Sequence, residues 1–407
     1  MLNQISGGVC AAKGFTAAGV HCGVKAGSSP DKNDLALILS EKECAAAATY
    51  TMNRVKAAPL YVTMDHLENG VAWGVVANSG NANACCPQSH ENAEAMSVSA
   101  AAATGREPGD FVVASTGVIG QTINISAIQA GLPQAAAALS ADGSDAAAHA
   151  IMTTDTHSKE VSIEFTIGGK TCRMGAIAKG SGMIHPNMGT MLAFITTDCA
   201  ITHEMLSDAL HEVVARTFNR VTVDGDTSTN DMCVVLANGM AGNSLIEWKD
   251  QDYETFLAAL EEVCRYLSRA IAGDGEGASK LVTCKMHGAR SEESAERLAK
   301  AVVGASLVKA AMFGADANWG RVLCAMGYSK APFRPEHVDV SFCSQAGSIL
   351  VCKQGDGVDF DEDKAKTILT EKEVIIDVDL HEGDESAECW GCDLTYDYVK
   401  INGDYRT

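Results

Sequence analysis

The chain of 407 residues lacks any uninterrupted apolar stretch approaching the ~18 residues of a membrane span. Its first segment, MLNQISGGVCAAKG, has no basic run followed by an apolar one, so neither a leader nor an anchor is expected and the protein is expected to be cytoplasmic. Positive charge is scarce: 31 Lys and Arg face 52 Asp and Glu, a formal net charge of −21. No basic stripe with interleaved aromatics compensates locally, and a surface of this sign repels phosphate backbones, which argues against a nucleic-acid partner. Pro-rich and Ser-rich linkers are absent, as are repeats of fixed period, so no boundary between independent domains is visible. Metal-ligand spacings such as HExxH are missing too, and no metal is implied.

What is present is the composition of a soluble globular protein, 46% hydrophobic and 20% charged, long enough for one large core or two ordinary ones. The 15 cysteines are odd in number and scattered among Ala and Val as small core residues, so they are expected to be reduced. Cys389 and Cys392 form a lone CxxC with no second pair to complete a zinc site, and are read as structural thiols. The acidic stretches DGVDFDEDK and HEGDESAE are read as solvated faces.

Strand and helix patterns alternate along the chain. Val71–Asn78 and Phe111–Ser115 read as buried strands that each run into a small-residue loop. Residues 89–104 read as a helix with Ser89 as its cap and Gly105 beyond its end. Val161, Ile163, Phe165 and Ile167 alternate with polar neighbours, Gly168 and Gly169 make a turn, and TCRMGAIA returns, which is a hairpin pattern. Further helices are expected from a Thr202 cap, over Phe256 to Ile271 before Gly273, and from Ser291, whose Glu292 and Glu293 suit a helix N-terminus. Alanine clusters such as Ala135–Ala138 are expected in helices. The sum is an α/β protein with sheets layered between helices.

The most informative segment is KGSGMIHPNMGTMLAFITTDCA, residues 179–200. Met191 to Ile195 form a short continuous apolar run, as in a strand covered on both faces, and Thr190 stands at its head directly after Gly189. Glycine allows strained dihedrals and close approach of a hydroxyl to the preceding carbonyl, so the Gly189–Thr190 bond reads as a self-cleavage site. Cleavage would give a threonine carrying nucleophile and base together, since its α-amine, with a reference pKa of roughly 7.7 to 8.0, can take the proton from its own Oγ. An isolated Gly-Thr pair is equally a turn followed by an ordinary strand residue, so the weight lies with the surrounding motif. With the base supplied by the amine, His185 is read as a structural or pocket-wall histidine.

That segment resembles the KGxGMIxPxMATML motif of the ornithine acetyltransferase family, also called glutamate N-acetyltransferase or ArgJ. Lys179, Gly180, Gly182, Met183, Ile184, Pro186, Met188, Thr190, Met191 and Leu192 match, and Gly189 replaces the usual alanine, which bears on cleavage efficiency. GGVCAAKGF, NSGNANAC, STGVIG, TTDT, TVDGDTSTND, GDGEGASKL, ADANWGR and YVKINGDYRT are similar to further blocks of the family in the same order. Ala317 stands where the family has proline, and Cys10 where it often has threonine.

The resemblance implies an α/β N-terminal-nucleophile enzyme, cut into residues 1–189 and 190–407 that remain one folded unit. It implies ping-pong transfer of acetyl from N2-acetyl-L-ornithine to L-glutamate through acetyl-Thr190, in arginine biosynthesis. Thr116 and Gly117 would stabilise the oxyanion; Thr153, Lys179, Thr190, Glu276, Asn402 and Thr407 would bind substrate. Lys179 suits a substrate carboxylate and Glu276 an ammonium group. No cofactor is implied, acetyl-CoA is an open second donor, and paired fragments would assemble as an α2β2 tetramer. The contrasting readings are an N-terminal-nucleophile amidase or aminopeptidase, and a metabolite-binding protein that is never cut.

Overall fold

The computed structural model describes residues 2–25, 27–185 and 191–404. Fifteen strands form two sheets among these residues. The first contains β1 (Asn3–Ile5), β2 (Phe15–Val20), β3 (Leu35–Tyr50), β4 (Val71–Asn78), β5 (Phe111–Ser115), β6 (Lys159–Ile167), β7 (Lys170–Lys179), β8 (Leu192–Thr197) and β9 (Met232–Ala237), in the order β1-β6-β7-β8-β9-β3-β4-β5 with β2 also on β3. The second contains β10 (Leu281–Ala289), β11 (Asp339–Ser344), β12 (Gly347–Lys353), β13 (Asp356–Gly357), β14 (Glu373–Asp379) and β15 (Glu385–Cys392), in the order β13-β12-β11-β14-β10-β15.

The long strand β3 explains how the first sheet makes two layers. Its Ala45–Tyr50 end pairs with β9, its Leu35–Ser40 end pairs with β2 and β4, and the register with β4 shifts between Leu39 and Cys44. Side chains from both halves meet in one core: Ala36, Ile38, Val75 and Ala77 from one half, Leu192, Phe194, Val234 and Leu236 from the other. The opposite face of β7, β8 and β9 packs on helices His203–Arg216 and Gln251–Gly273. The opposite face of β4 and β5 packs on helices Ser89–Thr104 and Ile125–Ala137. With two apolar faces to fill, β8 must read as an unbroken hydrophobic run, as its sequence does. The second sheet has its own core, and Trp390 and Cys392 of β15 join the core beneath Gln251–Gly273.

Local rules account for most elements. Gly168 and Gly169, at φ +55° and +75°, form the two-residue turn between β6 and β7, where both positions need a left-handed backbone. Thr202 caps its helix through Met205 N–H, and Ser291 caps its own through Ser294 N–H. Two expectations shift. Ser89 is the first helical residue rather than the cap: Gln88 takes that place with φ +57° and no side-chain cap bond, while Gly105 ends the helix in the left-handed conformation as expected. The strand after the Gly-Thr junction begins at Leu192, with Met191 ahead of it. All 15 cysteines are free; Cys389 and Cys392 are buried, and neither pairs with the other. No helix among the described residues is long and apolar enough to cross a membrane.

Phe256 is fully buried on helix Gln251–Gly273 and packs edge-on against Phe165 of β6, with ring centroids 6.4 Å apart. Phe256→Ala empties that contact between helix layer and sheet, and is expected to cost about 3–5 kcal/mol, read as a lower urea midpoint at unchanged slope.

Candidate active site

Strand β5 is buried along its whole length and delivers Thr116 and Gly117 to the sheet's end. Gly117 has φ +130°, and a Cβ there would lie 2.4 Å from the Gly80 carbonyl carbon and 2.6 Å from Asn81 N, so backbone presses on backbone and only glycine fits. The Thr116 N–H donates to Asn78 O at 3.0 Å, which leaves the hydroxyl as that residue's donor toward the cavity. Three buried polar side chains lock this loop. Ser115 Oγ donates to Asn78 Oδ1 (2.6 Å), Asn78 Nδ2 donates to Asn81 O (3.0 Å), and Asn230 Nδ2 donates to Ala82 O (2.7 Å) and Ser115 O (2.8 Å). Asn78, Ser115 and Asn230 lie in sequence blocks noted above but received no role there. Their signal was an amide or hydroxyl where an apolar strand meets a glycine-containing loop.

The opposite wall is ionic. Lys179, the last residue of β7, is buried and lines the cavity. Burial pushes its ammonium pKa down, while the carboxylate of Asp155 opposes the shift. Asp155 accepts from Gly180 N–H and from Lys159 Nζ, each at 2.7 Å. Although burial alone would raise it, the charges of Lys179 and Lys159 and these hydrogen bonds hold the Asp155 carboxyl well below its ordinary range. Lys159 is itself fully buried and reaches on to Asp274 Oδ2 at 2.5 Å. Thr156 donates to the same Asp274 carboxylate through both its N–H and its hydroxyl. Asp155, Lys159 and Asp274 were not among the residues expected at the site, because their partners lie up to 118 residues away.

Asp274 begins the turn that carries Glu276. Ser181 Oγ donates to Asp274 O at 2.7 Å and Glu276 N–H donates to Ser181 O at 3.0 Å, so the turn is stitched to the segment after β7. The Glu276 carboxylate packs against Gly182: a Cβ there would come within 2.4 Å of its oxygens and would push that side chain aside. Asn402, on the C-terminal helix Tyr396–Asp404, donates to Glu276 Oε2 at 2.7 Å.

Six of the expected residues therefore meet at one cavity of about 140 Å³: Thr116, Gly117, Thr153, Lys179, Glu276 and Asn402. Gly189, Thr190 and Thr407 lie outside the described residues. Met191, the neighbour of Thr190, lines a small adjoining cavity together with Thr116, Lys179 and Asp231. His185 lines neither cavity; it bonds Thr222 Oγ1 through Nδ1 at 3.0 Å, and burial with the nearby Lys300 charge pushes its pKa down to about 4. It is neutral at physiological pH and structural. The arrangement offers a hydroxyl and a glycine loop on one side, an ammonium with carboxylate support on another, and a carboxylate at the third. Both signs of charge are thus presented within one cavity of small-molecule size. Among the described residues no cluster of His, Cys, Asp and Glu has the geometry to hold a metal ion.

The family model described as the ArgJ family matches residues 16–407. The arginine biosynthesis bifunctional protein ArgJ of Symbiobacterium thermophilum is 52% identical over 407 residues, covering 100% of each chain. The arginine biosynthesis bifunctional protein ArgJ 1 of Clostridium acetobutylicum is 49% identical over 97% of this chain and 96% of its own. The crystal structure of the arginine biosynthesis bifunctional protein ArgJ from Bacillus halodurans is similar with a TM-score of 0.50 and 46% identity, over 52% of this chain and 98% of that one. With identity of this level running the whole length and the shared motifs gathered at one cavity, the chain belongs to the ArgJ family and is an acyltransferase of arginine biosynthesis.

Proposed function

We propose that this enzyme cuts itself between Gly189 and Thr190 and then moves an acetyl group from N2-acetyl-L-ornithine to L-glutamate through an acetyl-Thr190 intermediate. The observation that carries this reading is the meeting of Thr116, Gly117, Lys179 and Glu276 at one cavity, beside the Met191 that follows Thr190. In the cut, Thr190 Oγ adds to the Gly189 carbonyl carbon and the peptide C–N bond breaks. The hydroxyl proton passes to the freed amine, and water then hydrolyses the ester to a Gly189 carboxylate and a free Thr190 hydroxyl. Residues 1–189 and 190–407 stay together as one folded unit, whose α and β fragments pair in an α2β2 assembly. The Bacillus halodurans chain supports a cut precursor, since 98% of it corresponds to only 52% of this chain.

In the transfer, the Thr190 amine takes the proton from its own Oγ, and Oγ attacks the acetyl carbonyl. The Thr116 hydroxyl and the Gly117 N–H stabilise the oxyanion, donors of a type worth ~3–4 kcal/mol each. Lys179 meets the substrate carboxylate, Glu276 the ornithine ammonium, and Thr153, Asn402 and Thr407 complete the binding groups. Ornithine leaves with the proton, and the glutamate amine attacks the acetyl-threonine ester and restores Oγ–H. The exchange between two similar amines needs no cofactor. The relatives are described as bifunctional, which supports acetyl-CoA as a second acetyl donor to the same threonine.

Incubation with acetylornithine and glutamate is expected to give acetylglutamate and ornithine in equal amounts. Ornithine release at an unchanged rate without glutamate would make the enzyme a hydrolase instead. Thr190→Ala is expected to run as one uncut band on a denaturing gel and to lose transfer. Glu276→Gln removes the counter-charge and is expected to raise KM for acetylornithine by about tenfold or more, in line with a charged hydrogen bond worth ~1.5–3 kcal/mol, with a smaller effect on kcat. Gly182→Ala drives a methyl group into the same carboxylate and is expected to raise the same KM while Lys179 and the fold stay in place.

A further inference from the structure

The block TVDGDTSTND supplies Asn230 to the site loop and Ser228, Thr229 and Asp231 to the cavity walls, yet residues 222–227 make a dense set of contacts to the chain just before the Gly189–Thr190 bond. Asp224 Oδ2 accepts from Met183 N–H at 2.7 Å and Oδ1 from Ile184 N–H at 2.9 Å. Val223 N–H donates to Ile184 O at 2.7 Å, and Thr227 Oγ1 donates to His185 O at 2.8 Å. Thr222 Oγ1 bonds His185 Nδ1. Every residue from Met183 to His185 is thus gripped by one loop. Met183 has φ +57°, a left-handed conformation in which a non-glycine residue is strained and which needs outside support. Past the Gly189–Thr190 junction, Met232 N–H, where the loop enters β9, donates to Met191 O at 2.9 Å. Six bonds from a single loop therefore hold the chain before and after the same short segment.

We propose that the Thr222–Met232 loop is a splint for self-cleavage, with Asp224 as its main positioning residue. This rests on the cleavage reading given above and deepens it. An intramolecular attack depends on angle and approach, and misplacement by ~1 Å can cost two orders of magnitude in rate. Before the cut, the splint fixes the strained approach of Met183–His185 against the anchored Met191, so that the intervening residues have both ends in place. After the cut, the same bonds keep Met183–His185 and Met191 in place. The Asp224 carboxylate can hold two adjacent N–H groups because it presents acceptors on both oxygens, which an amide of the same shape cannot. Asp226 N–H donates to it from within the loop, and Tyr398 of the C-terminal helix faces it.

The test follows cleavage of the full chain after pulse-labelled cell-free synthesis, by denaturing gel against time. Asp224→Asn is expected to cut at least about tenfold more slowly than the wild type. Thr227→Val, which deletes one of the six bonds at constant shape, is expected to slow it by about threefold. Burial, reinforced by Asp226, raises the Asp224 pKa above its ordinary value, while its bonds to N–H groups lower it; Tyr398 and the Cys392 thiol also face it. Protonation removes an acceptor, so wild-type cleavage is expected to fall on the acid side with a limb that Asp224→Asn lacks. A purely structural role would leave that limb in both proteins. Should Asp224→Asn fail to fold by circular dichroism, Thr227→Val carries the test. Wild-type rates in both variants, or in Thr227→Val when it alone folds, would overturn the splint. A wild-type chain that is never cut would instead remove the cleavage reading itself, and the splint with it.

Discussion

A single buried ammonium holds the site together. Lys159 has no exposed side-chain surface, and its Nζ lies between Asp155 of the segment before β6 and Asp274 at the end of helix Gln251–Gly273. Asp155 in turn fixes Gly180 N–H and faces Lys179, while Asp274 begins the turn bearing Glu276. The two charges that line the cavity, one cationic and one anionic, are thereby referred to the same internal cation. Taking one partner out of such a cluster leaves an uncompensated charge in a dry interior, typically a loss of ~3–5 kcal/mol. The cluster is a positioning device more than a source of stability, since apolar groups of like shape could fill the same volume at little net cost.

Around that cation, the pocket is built where strands end and chain segments crowd. At Gly117, against Gly80 and Asn81, a methyl group would not fit, and at Gly182 it would displace the Glu276 carboxylate. Such contacts bring backbone donors and charged groups nearer one another than side-chain packing allows. The loops that do this form only isolated bridges, and buried amides and hydroxyls add to them: Asn78, Ser115 and Asn230 on one wall, Ser181 and Thr156 on the other. The folded-over first sheet supplies the rigidity, because β8 and β9 are packed on both faces and their ends cannot drift.

Much of the architecture was legible in the chain. The β6–β7 hairpin, the Thr202 and Ser291 caps and the buried β8 follow from alternation, capping chemistry and a double-faced apolar run, all of which act within a few residues. Ser89 was misread because a capping side chain is a preference: here Gln88 takes the left-handed conformation and the helix starts without it. The site was legible only as motifs. Thr116, Gly117, Lys179 and Glu276 could be named from their neighbours in sequence, but Asp155, Lys159, Asp274 and Asp224 could not, since a carboxylate in a loop looks the same whether it is solvated or buried on a distant lysine.

The sequence by itself determined the elements, the family and the residue types that chemistry requires, because helix period, strand alternation and short motifs are local properties. Which residues meet was decided by the tertiary structure alone. Thr116, Lys179, Glu276 and Asn402 share one cavity only because β3 doubles the sheet back on itself and the C-terminal helix returns to Glu276. The fate of each charge was decided there as well, since burial and the distance to an opposite charge, which set whether Lys179 and Asp155 hold or lose a proton, exist only once the chain has closed.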